Sequence, residues 1–109
     1  LYVSIKKLLV MKRIIEKTIE QYLYAKICVI GGLCIKLLPD YMTGIPDRLC
    51  LFPGGKMVFV ETKAPGKKPR PIQKVMHKKL RDLGFTVIVI DGIQEVDNLI
   101  LAFYDTNTK

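Results

Sequence analysis

The sequence predicts an α/β domain in which a mixed central sheet carries helices on its faces. Three observations predict it. An apolar stripe at three- and four-residue steps opens the chain; three short β-type runs follow, with a Pro-Gly-Gly turn between the last two; a helix–strand–helix pattern closes it. The expected order is therefore α, β, β, β, α, β, α. At 109 residues, half of them apolar, the chain has enough length for one core and none for a second.

The first helix is expected over Lys12 to Ile30, where Ile15, Ile19, Leu23, Ile27 and Ile30 form one stripe that Gly31-Gly32 stops. Glu16 and Glu20 sit one turn apart at the border of that stripe, where a carboxylate is costly unless something pairs with it. A site role and solvated edge acids tied to Lys12, Arg13 or Lys17 both fit this pattern. Leu33 to Leu38 is the first strand, and Pro39 to Gly44 makes a polar turn. Pro46 holds Ile45 extended, and Arg48 to Phe52 is the second strand. Pro53-Gly54-Gly55 turns that strand into a hairpin with Met57 to Lys63, whose Val58-Phe59-Val60 centre suggests burial on both faces.

Ala64 to Arg70 is irregular, because prolines and a glycine interrupt it. Pro71 suits a first helical position. The second helix then runs from Ile72 to Leu83 with Ile72, Val75, Met76, Leu80 and Leu83 as its apolar face. Phe85 to Ile90 is the fourth strand. After the Asp91-Gly92 turn, Ile93 to Phe103 is a last helix with Val96, Leu99, Ile100 and Phe103 inward. Residues 1–10 are apolar but too short for a membrane span and lack a cleavage region. They read as an N-terminal extension to a single domain over residues 11–105.

Eighteen basic residues against ten acidic ones leave a net charge of +8, which favours polyanionic partners, nucleic acid first and an acidic membrane surface second. Cys28, Cys34 and Cys50 have no C-x-x-C spacing and lie inside apolar runs, so they read as buried thiols in a reducing cytosol rather than as a metal or redox site.

The chemistry gathers between Gly44 and Gln73. Asp47 follows Pro46, and thirteen residues separate it from Glu61, which begins Glu61-Thr62-Lys63. Alternation along a strand puts Glu61 and Lys63 on one side and turns Thr62 away. With Asp47 at the start of the paired strand, two carboxylates and an ammonium can converge on one point, as a divalent metal needs. From Lys63 to Arg81 there are eight Lys and Arg and no acid, the makings of a phosphate-contacting surface. His77, among lysines on its helix, reads as a DNA-facing or solvated residue ahead of a general base. No zinc-finger spacing or separate helix-turn-helix is present, so recognition by shape is favoured over recognition by base sequence.

These residues carry a likeness. Asp47 after Pro46 with Glu61-x-Lys63 resembles the PD-(D/E)XK nuclease superfamily, whose core order is αβββαβ. The Gly44-x-Pro46-Asp47 start, the basic loop after Lys63 and the helix-borne Gln73 resemble, within it, the VRR-NUC (virus-type replication-repair nuclease) family, over Glu16 to about Ile93. The resemblance implies that Asp47 and Glu61 are metal ligands and that Lys63 is the catalytic lysine, with Gln73 beside them in the catalytic set. It also implies an acidic ligand on the first helix. Glu20 is taken for it, on its distance from Asp47 compared with compact resolvase-like members, with Glu16 as the other candidate. Thr62 stands where an apolar residue is more usual; its main-chain carbonyl would serve as a further ligand.

The implied activity is Mg²⁺- or Mn²⁺-dependent hydrolysis of DNA phosphodiester bonds by a homodimer acting on branched substrates such as Holliday junctions. Lys67, Lys68, Arg70, Lys74 and Lys78 would contact DNA. The implied setting is DNA repair or replication in the cytoplasm of a bacterium or of its phage-infected host. The alternative is a catalytically inactive DNA-binding module of the same fold.

Overall fold

The computed structural model describes residues 4–104. Its elements follow the expected order: α1 (Ile5–Val29), β1 (Leu33–Lys36), β2 (Arg48–Leu51), β3 (Met57–Thr62), α2 (Pro71–Asp82), β4 (Val87–Ile90) and α3 (Ile93–Phe103). The sheet order is β1-β2-β3-β4. The first two pairings are antiparallel and β3–β4 is parallel, so the sheet is mixed as predicted. The parallel step needs a crossover, and α2 supplies it.

α1 starts earlier than the apolar stripe implies. Ser4 caps it, accepting a hydrogen bond from the Lys7 amide at 3.2 Å, and the helix runs unbroken through residues 5–10. Only Ile19, Leu23 and Ile27 of this helix are buried; Ile15, expected inward, is exposed, and the contacts of α1 with the core begin at Ile19. Gly31, at φ +84°, ends the helix with its amide on the Cys28 carbonyl. The hairpin closes through Phe52 N–H to the Lys56 carbonyl at 2.8 Å.

The core lies between one sheet face and α1 with α3. Ile19, Leu23 and Ile27 pack with Cys50, Val58, Val60, Ile90, Val96 and Leu99. Tyr22 on α1 donates to Asp97 on α3 at 2.7 Å, and the Phe52 and Phe103 rings stack at 5.7 Å. Truncating Leu23 to alanine here would cost about 2–5 kcal/mol. Phe59 is only half-buried, but it meets Phe85 edge-on at 5.9 Å on the opposite face.

Two expectations are corrected. Cys28 is exposed, while Cys34 is half-buried and only Cys50 is fully inside, because Cys28 lies off the Leu23–Ile27 stripe. Of the stripe read for it, α2 buries only Leu80, with Met76 half-buried. Its buried residues are Gln73, His77 and Leu80, whereas Ile72, Val75 and Leu83 are exposed. The helix is rolled toward its polar residues because a buried carboxylate on β3 faces it. No described helix is long and apolar enough to cross a membrane.

Candidate active site

β3 is the middle of the construction, with β2 on one side and β4 on the other, and its C-terminal end carries the site. The Arg48–Val60 pair is the last of the β2–β3 ladder at that end, so the next residues outward, Asp47 and Glu61, come side by side. Gly44 makes this approach possible. Its φ is +83°, and a Cβ there would lie 2.6 Å from the Ile72 carbonyl oxygen, so only glycine lets the 44–47 segment pass under α2. The Asp47 carbonyl accepts from Leu37 N–H at 2.8 Å, which fixes the chain just before β2.

Glu61, Thr62 and Lys63 are all buried. Glu61 and Lys63 share a face as alternation predicts, with Lys63 Nζ 3.5 Å from Glu61 Oε2. Thr62 lies on the other face, yet it is not away from the site. Its hydroxyl donates to Asp47 Oδ2 at 2.7 Å and reaches Glu20 Oε1 at 3.1 Å, and its amide donates to Asp47 Oδ2 at 2.8 Å. The reason is that Asp47, at the strand edge, is reachable from both faces.

Burial is the main cause that pushes the Glu61 carboxyl up to about 7, and the neighbouring Asp47 carboxylate adds to it; Lys63 opposes both. Gln73 reaches the same carboxylate. Its Nε2 donates to Glu61 Oε2 at 3.0 Å, while its Oε1 accepts from the Arg70 amide at 2.8 Å and so closes the first turn of α2. Gln73 is therefore a buried partner of Glu61, not an exposed helix residue.

Both acids of α1 face this end of the sheet. Glu20, besides Thr62, takes Arg48 at 3.3 Å. Glu16 is raised by burial first and then by the charges of Glu20 and Asp47, with Lys63 and Lys67 acting the other way. Lys67, Lys68, Arg70, Lys74 and Lys78 are exposed on the loop and helix that follow. Lys67 shares a cavity of about 130 Å³ with Lys12, Arg13, Glu16 and Ala64, next to Lys63. Lys78 is paired with Asp82 at 2.8 Å.

Among the described residues no three His, Cys, Asp or Glu side chains form a group that could hold a metal ion. Glu20 is turned to Arg48 and Thr62, leaving Asp47 and Glu61 as the adjacent acidic pair. Glu61 Oε1 is buried without a hydrogen-bond partner. Two neighbouring carboxylates, one with a vacant buried oxygen and a raised pKa, form an all-oxygen donor set suited to a hard cation.

Two residues escaped the sequence reading. Arg48 ties Glu20 into the site, and His77, expected in solvent or on DNA, is 2 % exposed with Nε2 3.7 Å from Glu61 Oε1. Burial, then Arg81 and Lys63, holds the imidazole below its ordinary pKa. The available signal was the four-residue spacing of Gln73 and His77, which puts both on one face of a helix.

No family model matches the chain. It is 42 % identical over 92 residues to "Putative nuclease p44" of Acyrthosiphon pisum secondary endosymbiont phage 1, covering 84 % of this chain and 98 % of that protein. A solved structure described as a VRR_NUC domain superposes with a TM-score of 0.75 at 34 % identity, over 82 % of this chain and 97 % of the other. The mixed sheet with its flanking helices is thus a PD-(D/E)XK-type fold, and the acids and lysine at the end of β3 stand within it. On its likeness to both relatives across most of its length, the chain belongs to the VRR-NUC family.

Proposed function

We propose that this protein is a divalent-metal-dependent DNA endonuclease that acts on branched substrates such as four-way junctions. One observation carries the reading: buried Glu61 lies beside Asp47 with Lys63 Nζ 3.5 Å away, at the open end of the central strand. The similarity to a phage protein named as a nuclease supports it.

Asp47, Glu61 and the Thr62 carbonyl would hold Mg²⁺ or Mn²⁺, with Glu20 or Glu16 behind them. The bound ion would supply charge neutralisation at the phosphate and a lowered pKa for water. Hydrolysis forms one phosphorus–oxygen bond with water, breaks the ester bond, and leaves a protonated leaving oxygen and a phosphate monoester. Lys63 is placed to donate a hydrogen bond to a non-bridging phosphate oxygen or to the entering water, where negative charge builds up. Gln73 holds Glu61 in orientation. Lys67, Lys68, Arg70, Lys74 and Lys78 neutralise backbone phosphates, with Lys12 and Arg13 forming a second wall across from Lys67.

A homodimer suits a junction, which presents two symmetric cleavage points to a two-fold protein. The test is a cleavage panel of single-stranded, nicked, flapped and four-way DNA with Mn²⁺, run beside a solution mass measurement. Preferential nicking of the four-way substrate that is lost in Asp47→Ala and Lys63→Ala supports the reading. Binding without any cleavage by the wild-type protein would instead favour the inactive DNA-binding module.

A further inference from the structure

We propose that His77 is a positioning residue for Glu61, its Nε2–H holding Oε1 of the carboxylate in the cleavage-competent enzyme. The inference rests on the nuclease reading above and adds a residue to it.

The two oxygens of Glu61 are treated unequally. Oε2 has Gln73 Nε2 at 3.0 Å and Lys63 Nζ at 3.5 Å. Oε1 has no hydrogen-bond partner, and neither has His77 Nε2, though both atoms are buried. They face each other at 3.7 Å, and both side chains are 2 % exposed. Buried polar atoms without partners are rare in folded proteins, and two that point at one another are rarer. A movement of under about 1 Å brings the pair to ordinary hydrogen-bond length.

A carboxylate tethered at one oxygen can pivot about it. Tethered at both, it presents its remaining lone pairs in one direction, here toward Asp47. α2 is built to supply both tethers. Gln73 and His77 are one turn apart, buried on the same face, and that face displaces the apolar residues Ile72 and Val75 into solvent. A neutral ring has one N–H to give, and Glu61 Oε1 is the acceptor in front of Nε2. Partners that orient a metal-binding carboxylate commonly change metal affinity or activity ten- to a hundredfold when removed.

The experiment compares His77→Leu, which removes the donor, with His77→Gln, whose amide can place a donor near Nε2. Junction cleavage with Mn²⁺ is measured as kcat and KM, and Mn²⁺ binding to the DNA-free protein is measured by calorimetry. His77→Leu is expected to lower kcat at least tenfold with KM changed less than twofold and to weaken Mn²⁺ binding about tenfold; His77→Gln restores most of both. Should His77→Leu fail to fold by circular dichroism, His77→Phe keeps the ring shape without the donor and takes its place. Wild-type values in the donor-free variant overturn the proposal, and so does an equal loss in His77→Gln, which would mark a packing role. Asp47→Ala separates the two readings. Cleavage by wild type and none by Asp47→Ala upholds the nuclease assignment whatever His77 does. If the wild type cuts nothing, that assignment fails, while the Mn²⁺ comparison still decides on His77.

Discussion

Asp47 Oδ2 accepts two hydrogen bonds from the same residue, the amide and the hydroxyl of Thr62, at 2.8 and 2.7 Å. The strand that carries Glu61 therefore also fixes the direction of the other acid. Thr62→Val keeps the shape and the amide but removes the hydroxyl, and with it the link to Glu20 Oε1 at 3.1 Å. Stability should fall by about 1 kcal/mol, read from denaturant unfolding, and cleavage should drop by about tenfold.

Removing the charge of Asp47 tests the acidic pair itself. Asp47→Asn retains an oxygen for the Thr62 donors, so the fold should survive with an unchanged circular dichroism spectrum. Cleavage with Mn²⁺ should fall by a hundredfold or more, about 3 kcal/mol of transition-state stabilisation. Residual activity near that of the wild type would remove Asp47 from the reaction.

The raised Glu61 carboxyl gives a pH dependence of definite sign. Its pKa moves from the ordinary 4.5 up to about 7, so the folded chain holds this proton more tightly than the unfolded chain. Stability from this group is present below about 4.5 and is lost as pH rises to 7, a difference on the order of 3 kcal/mol. In a metal chelator, Glu61→Gln should melt close to wild type at pH 5 and about 5 °C or more above it at pH 8. His77, depressed by burial, acts oppositely and only below about 6.5, so it does not enter the comparison at pH 8.

Gln73 joins a helix start to a site acid, so one substitution should register twice. Gln73→Leu removes the acceptor of the Arg70 amide at 2.8 Å and the donor to Glu61 Oε2 at 3.0 Å. About 1–2 kcal/mol of stability should be lost. Gln73→Glu keeps the acceptor for Arg70 and should lose less stability, whereas cleavage should fall in both variants, because neither keeps the donor to Glu61 Oε2. Denaturation curves and single-turnover kinetics on the same preparations check both.

The exposed basic loop predicts a salt signature. Changing Lys67 and Lys68 to glutamine should lower the slope of log affinity against log salt by up to about 0.9 for each phosphate no longer neutralised, weakening all DNA substrates alike. Filter binding with the Asp47→Asn protein over a series of salt concentrations measures it.

Much of the fold was legible because its signals are local. The Pro53-Gly54-Gly55 turn, the Val58-to-Lys63 run and the α3 stripe each state their geometry within a few residues. Asp47, Glu61 and Lys63 could be named because strand alternation and a hairpin register leave little freedom. α2 was misread because the sequence shows which residues are apolar but not what the helix packs on; Glu61 needs donors, and that need outweighed Ile72 and Val75. His77 was missed for the same reason. Thr62 was half read: its face was right, but whether Asp47 could be reached from that face depended on an edge position that the spacing alone does not reveal.

Glu61 stands on a strand with neighbours on both sides, whereas the cations that would contact backbone phosphates sit on the early turns of α1, on residues 64–70 and on the exposed side of α2, outside the sheet ladder. The two parts can therefore drift at different rates. Substrate preference could be rewritten by insertions or exchanges in those peripheral segments while the hydrolytic machinery stays as it is, so this scaffold is a practical starting point for grafting new specificity onto an unchanged cutting centre.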